Sequence, residues 1–199
     1  PFALLVKAES PIMSIQDLIA RSKAAPDTVS IGNERPRSFG GIIARLVNAR
    51  SGARANLVAY SNVGVAVQNV IGGQTDAVVA DVASTAQLVR QGRLRMLAVT
   101  TGKRIPAWAQ VPALAEVIPG FDMSGWFTLV APTGTPATAI ARMHKEVNTL
   151  LADKDMADRI LTVGPIAEPL ASPDAVAQFL KDEHQRWGAA AKEIGLLPE

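Results

Sequence analysis

Val29-Ser30-Ile31-Gly32-Asn33-Glu34-Arg35-Pro36-Arg37-Ser38 carries the reading of this chain outward in both directions. Val29-Ser30-Ile31 alternates like a strand, the stretch from Gly32 to Ser38 reads as a loop, and a helical pattern begins near Phe39. A loop that runs from a strand end into a helix start points its N–H groups at a common spot. The unpaired donors of the first helical turn and the positive end of the helix dipole make that spot favourable for an anion. Arg35 and Arg37 add two guanidinium groups that can clamp a carboxylate or phosphate in bidentate fashion.

The same strand–helix alternation continues on either side. Strands are expected at 2–7, 28–32, 56–60, 77–80 and 94–99, and helices opening at Ser14 before the turn at Pro26-Asp27, and over 38–50, 62–71 and 83–91. Ser14 and Asn62 stand where helix N-caps belong, and Gly72-Gly73 stops the third helix. Short joins between alternating elements predict an α/β fold, with a mainly parallel sheet flanked by helices. In such sheets ligands bind beyond the carboxyl ends of the strands, where the 32–38 loop and Asp81 both fall. Residues 101–119 read as irregular, with prolines at 106, 112 and 119, and an extended run follows from Phe121 to Val130. The remainder is helical over 137–152, 154–162, and from Ser172-Pro173-Asp174 to Gly195. The shift in composition near residue 131 marks a domain boundary.

The 199 residues are 48% hydrophobic and 19% charged, the profile of a folded chain with a core, and cysteine is absent. That absence removes disulfides, thiolate catalysis and cysteine-bound metals. Net charge is only +2, yet five arginines between residues 33 and 54 face Glu34 alone. Arg45, Arg50 and Arg54 lie in or just past a helix, and no aromatic residue is interleaved as a stacking platform. A solvated helix face is therefore expected there, and no nucleic-acid partner. The chain opens directly on the apolar run Phe2–Val6 with no basic-then-apolar leader pattern, which suggests a segment of something longer.

No catalytic constellation can be assembled. His144 and His184 belong to no metal-ligand spacing, and neither a nucleophile elbow nor a phosphate-binding glycine loop is present. Asp81 ends a buried strand, where it can either cap the next helix or bind a donor or water in a cleft. Tyr60 ends another strand, where it can serve a cleft or simply pack its ring with the hydroxyl at the rim. Trp126 and Phe127 read as core or hinge packing.

Several blocks in order resemble the Bug (TctC-like) receptors of tripartite tricarboxylate transport systems. They are Tyr60, Ile71-Gly72-Gly73-Gln74-Thr75-Asp76, Gly92 to Thr100, Lys103-Arg104, Val111 to Glu116, Pro119-Gly120-Phe121 to Trp126-Phe127, Ala131 to Pro136, and Trp187-Gly188 to Pro198. The resemblance implies a periplasmic-binding-protein-like (type II), two-lobed receptor that closes on a small organic carboxylate, without catalysis or cofactor, and hands it to membrane transporter subunits. By this likeness residues 1–8 and 120–131 are crossing strands, 9–119 form the second lobe, and 132–199 return to the first. Candidate ligand residues are Asn33, Arg35, Arg37, Ser38 and Phe39, with Tyr60 and Asp81 at two further strand ends.

Two departures from the family pattern stand out. The first-lobe strand and its Pro-Gly-Gly loop are missing, so the fold is truncated, and a homodimer or segment exchange is expected to cover the exposed helices. In the binding loop Ser38 keeps the hydroxyl position, but Glu34-Arg35-Pro36-Arg37 replaces glycines and Gly41 stands where the family has histidine. The alternative is a ligand-sensing effector domain of a transcription regulator, which shares the two-lobed architecture.

Overall fold

The computed structural model describes residues 1–162 and 164–196. The last three residues of the 132–199 segment, and of the resembling block that ends at Pro198, lie partly or wholly outside that range. The elements are β1 (Phe2–Lys7), α1 (Ile15–Ala24), β2 (Ser30–Glu34), α2 (Phe39–Ser51), β3 (Asn56–Tyr60), α3 (Val63–Ile71), β4 (Ala77–Asp81), α4 (Val82–Arg90), β5 (Leu94–Val99), α5 (Ala137–Ala152), α6 (Lys154–Thr162) and α7 (Pro173–Glu193). Short 3-10 turns at Pro106–Trp108 and Leu114–Glu116 punctuate the stretch after β5.

The strands form one five-stranded sheet in the order β3-β2-β4-β1-β5. Strand β2 is parallel to β3 and β4, whereas β1 is antiparallel to both of its neighbours, β4 and β5. Four strands therefore point one way, as expected, and β1 is inserted against them, making the sheet mixed. The sequence of β1 cannot reveal this, because an unbroken apolar run buried on both faces reads alike in either direction.

Helices cover both faces. Leu4, Val6, Ile31 and Val79 pack with Leu18 of α1 and Ile43, Leu46 and Val47 of α2, and Phe121 and Met123 join that side. Ala3, Leu5, Val78 and Ala80 pack with Val67 and Val70 of α3, Ala86 of α4 and Trp108. Alternate residues of β1 and β4 thus feed opposite cores, as the pleat requires. The start of β2 is pinned by Asp76, whose carboxylate accepts from both the amide and the hydroxyl of Ser30 at 2.8 and 2.7 Å.

The helix caps behave as expected: Ser14, Ser38, Asn62, Asp81 and Ser172 each accept from the backbone three residues on. The run from Phe121 to Val130 differs from the extended strand expected of it. It makes no ladder pairing among the described residues, although Phe121 and Met123 are buried and the Met123 amide donates to the Thr100 carbonyl at 2.8 Å. Beyond Met123 no neighbouring strand is present to pair with, so Phe127, Leu129 and Val130 are exposed.

Candidate functional site

Because β2 to β5 share a direction, their carboxyl ends lie along one sheet edge, together with the amino end of β1. The registers Glu34 to Tyr60 and Phe2 to Asp81 place these residues side by side along it. Tyr60, Asp81 and the segment Asn33–Phe39 are thereby brought to one rim.

The loop at this rim is shorter than its sequence suggested. Gly32, Asn33 and Glu34 belong to β2, because the ladder with β3 continues to Tyr60 and the Arg35 amide adds a further bond to the Tyr60 carbonyl at 3.1 Å. Asn33 is buried, and its side-chain amide faces the Ile31 and Val58 carbonyls at 3.4 and 3.3 Å. The true loop, Arg35 to Ser38, folds down upon the first turn of α2. Arg35 holds a positive φ of 30°. The Ser38 hydroxyl lies against the Glu34 carbonyl and 2.9 Å from that of Arg35, and it accepts from the Gly41 amide at 3.1 Å. Its proton and one of its two acceptor lone pairs are thus used within the loop and the first turn of α2.

Gly41 is what allows the fold-back. A Cβ there would sit 2.2 Å from the Arg35 carbonyl oxygen and 2.8 Å from the Pro36 carbonyl carbon. The absence of a side chain at Gly41 and the path of the Arg35–Ser38 loop thus go together: the loop backbone occupies the space a side chain at 41 would need.

The other candidates divide in the same way. Asp81 caps α4, with Ser84 donating its amide to Oδ1 at 2.7 Å and its hydroxyl to Oδ2 at 2.8 Å. The Tyr60 ring is half-buried beside Gly32, where a Cβ would lie 3.2 Å from Cε2. Phe39 lies at a ring-centroid distance of 4.6 Å from Trp187, edge to face at 84°, and 6.0 Å from Phe2. Arg37 lines a groove with His184, Gln185 and Lys192 of α7. Arg35, its side chain 71% exposed, is the guanidinium left at the rim, 3.8 Å from the Glu34 carboxylate.

Carboxyls held below their ordinary range lie elsewhere. Glu116 is lowered to about 2, first by the Arg104 guanidinium and then by the Ala113 amide. Arg50 lowers Glu193, and Arg21 lowers Asp17. These are ion pairs that tie loops and helices together. Among the described residues no group of three or more His, Asp or Glu could hold a metal ion, and no helix is long and apolar enough to cross a membrane.

One polar cluster escaped the sequence reading. Glu183 of α7 is 6% exposed, and its Oε2 accepts from the indole N–H of Trp126 at 3.0 Å, that of Trp187 at 3.3 Å and Arg186 Nη2 at 2.8 Å. The available signal was two tryptophans whose N–H groups need acceptors, with an acid between Phe179 and Trp187 on one helix face.

Comparison with known proteins agrees with this architecture. The family described as tripartite tricarboxylate transporter family receptor matches residues 1–196. The chain belongs to that family. It is a family of receptors rather than enzymes. BugT of Bordetella pertussis is 31% identical over 197 residues, covering 98% of this chain and 60% of BugT. A UPF0065 protein of Bordetella bronchiseptica is also 31% identical, covering 100% of this chain and 58% of its own length. The chain thus spans about three-fifths of these relatives. Among solved structures, R. palustris Rpa4515 with adipate superposes with a TM-score of 0.87 at 28% identity, covering 100% of this chain and 67% of its own. The periplasmic binding protein BugD, at 22% identity and a TM-score of 0.82, supports the fold alone. The family and fold expected from the sequence are both borne out.

Proposed function

We propose that the protein is a periplasmic solute-binding protein that captures a small organic carboxylate for the membrane subunits of a tripartite tricarboxylate transport system. The observation that carries this reading is the superposition of the whole chain on a family member solved with adipate. The ligand rim is the shared edge of Asn33–Phe39, Tyr60 and Asp81. On this reading Asn33, Ser38 and Asp81 shape the rim, since their polar groups are bonded to their own neighbourhood. Positive charge comes from Arg35 and from the amino end of α2. Residues 9–119 form one lobe, 1–8 and 120–131 lead across, and 132–199 belong to the other lobe, which the remaining two-fifths or so of the relatives' length completes.

The test is a thermal-shift and titration screen with adipate, shorter linear dicarboxylates and aromatic acids. It is run on a chain carrying both lobes, the missing part supplied by the adipate-bound relative. A ligand at a hundredfold excess over its Kd should add about 2.7 kcal/mol of stability. A flat response across the panel overturns the reading. On its own, the 199-residue chain is expected to self-associate through its exposed apolar side chains, Phe127, Leu129 and Val130 and, on α5, Ile140, Met143 and Leu150. A monomeric mass by light scattering, with the fold intact, would contradict that expectation.

A further inference from the structure

We propose that Glu183 is a positioning residue for the ligand rim, holding the first turn of α2 in place through Trp187 and Phe39. Its bearing on ligand rests on the receptor reading above, while the geometry itself does not. The first turn of α2 is Phe39-Gly40-Gly41. Two glycines offer no side chain to anchor a helix start, and glycine is a poor helix former. The placement of this turn therefore depends on the Ser38 cap beneath it and on Phe39.

Phe39 rests edge to face on Trp187, and Trp187 is oriented by Glu183. The same carboxylate oxygen orients Trp126, which also meets Phe179 edge to face at 5.7 Å. Arg186 adds the compensating charge at 2.7 Å from Oε1 and donates from Nη1 to the Asp122 carbonyl at 3.0 Å. Asp122 in turn accepts from the Gly102 amide at 2.9 Å. One buried carboxylate thus joins three parts of the molecule: the segment 122–126 that leaves the sheet, helix α7, and the start of α2 at the rim. A buried charge is retained at a cost unless its partners are complete, and here two indoles and a guanidinium complete them. Removing the acceptor leaves three donors unsatisfied and frees the ring on which Phe39 leans.

Amide hydrogen exchange tests this without any ligand. Glu183→Ala should speed exchange by about tenfold at Gly41 and Ile42, whose amides are bonded to the Ser38 hydroxyl and carbonyl. Glu183→Gln, which keeps an acceptor oxygen for the indoles, should restore most of the protection. Glu193→Gln, which cuts the Arg50 bridge on the same helix, should leave those two amides unchanged. If Glu183→Ala loosens α7 alone, the residue merely holds its helix and the proposal fails. Should Glu183→Ala not fold, Trp187→Leu serves with the same readout, and unchanged exchange at the two amides again overturns the proposal. In the two-lobed protein, adipate affinity should fall in parallel with protection. If wild type does not bind adipate, that failure counts against the receptor reading and leaves the exchange result standing.

Discussion

The sheet and the C-terminal helices are built to different standards. In the interior strand β1, Ala3, Leu4, Leu5 and Val6 are all fully buried, with helices on both sides. Helices α5 and α6 have no buried residue among those described, and α7 buries only Glu183 and Ala190. All three helices are amphipathic, yet Ile140, Met143 and Leu150 remain exposed, as do Phe127, Leu129 and Val130. Periodicity and capping are enough to shape a helix; a facing surface is needed to stabilise it. Instead, α5 is steadied from the side, where His144 Nε2 and the Asn148 amide both reach the Leu170 carbonyl, at 2.9 and 2.5 Å. The lesson is that the sheet carries its own core, while the apolar stripe of α5 stays exposed among the described residues.

The largest expected effect tests that contrast directly. Leu4→Ala removes a fully buried side chain between packed layers and should cost about 2–5 kcal/mol in urea denaturation. Measured at concentrations where the chain is monomeric, Leu150→Ala removes a side chain that is 52% exposed and should stay within about 0.5 kcal/mol. Equal losses in the monomer would break the comparison by showing that the helical face is covered within the chain itself.

A single type of substitution separates the two regions by sign. Gly41→Ala drives a Cβ into the Arg35 and Pro36 backbone, which flexible side-chain motion cannot relieve, and should cost about 1–3 kcal/mol. Gly188→Ala falls inside α7, where an added Cβ meets nothing within 4 Å, and should stabilise by about 0.5–1 kcal/mol. Thermal or urea midpoints read both. A neutral Gly41→Ala would mean that the loop from Arg35 to Ser38 does not pack on α2, and the account of its divergence would fall with it.

Much of this was legible beforehand, and the reasons are local. Caps such as Ser14, Asn62 and Ser172 announce helix starts because the bond they make is three residues away, within reach of sequence reasoning. The unbroken run at Ala77–Ala80 marks a strand covered on both faces for a similar reason. What stayed hidden depends on distant neighbours. The reversed direction of β1 is decided by which strands flank it. The strand end at Glu34 is decided by how far β3 runs alongside. The exposure of Phe127, Leu129 and Val130 depends on the absence of a paired strand beside them among the described residues, which an apolar run does not reveal. At the rim, Tyr60 and Asp81 were legible as strand ends, but the sequence could not show that Ser38 and Asp81 spend their polar groups at home. Glu183 was least visible, since a helix acid ordinarily reads as solvated and its two tryptophan partners lie at different distances along the chain.

The seam between the two regions offers the smallest effect and a test of sign. Arg50 of α2 meets Glu193 of α7 through a guanidinium fork, with bonds of 3.0 and 2.8 Å, and sits over the Phe121 ring. The hydrogen bonds from Arg50 hold the Glu193 carboxyl below its ordinary value of 4.5. A group whose folded value is depressed contributes stability above the unfolded value and loses it as pH falls through the folded one. The bridge should therefore be intact near neutrality and fade in acid below 4.5, in the same sense as the Arg104–Glu116 pair inside the sheet region, which fades between 4.5 and about 2. Because the Glu193 side chain is 39% exposed, solvent screening keeps the effect small. Glu193→Gln should cost about 0.5 kcal/mol at neutral pH and nothing once the wild-type carboxyl is protonated. Urea midpoints of both proteins at neutral and acid pH measure the difference. A cost that persists unchanged into acid would mean that the seam is held by the packing of Trp187, Ala190 and Ile194 against α2 and not by this charge, which would draw the helices closer to the sheet's way of holding itself together.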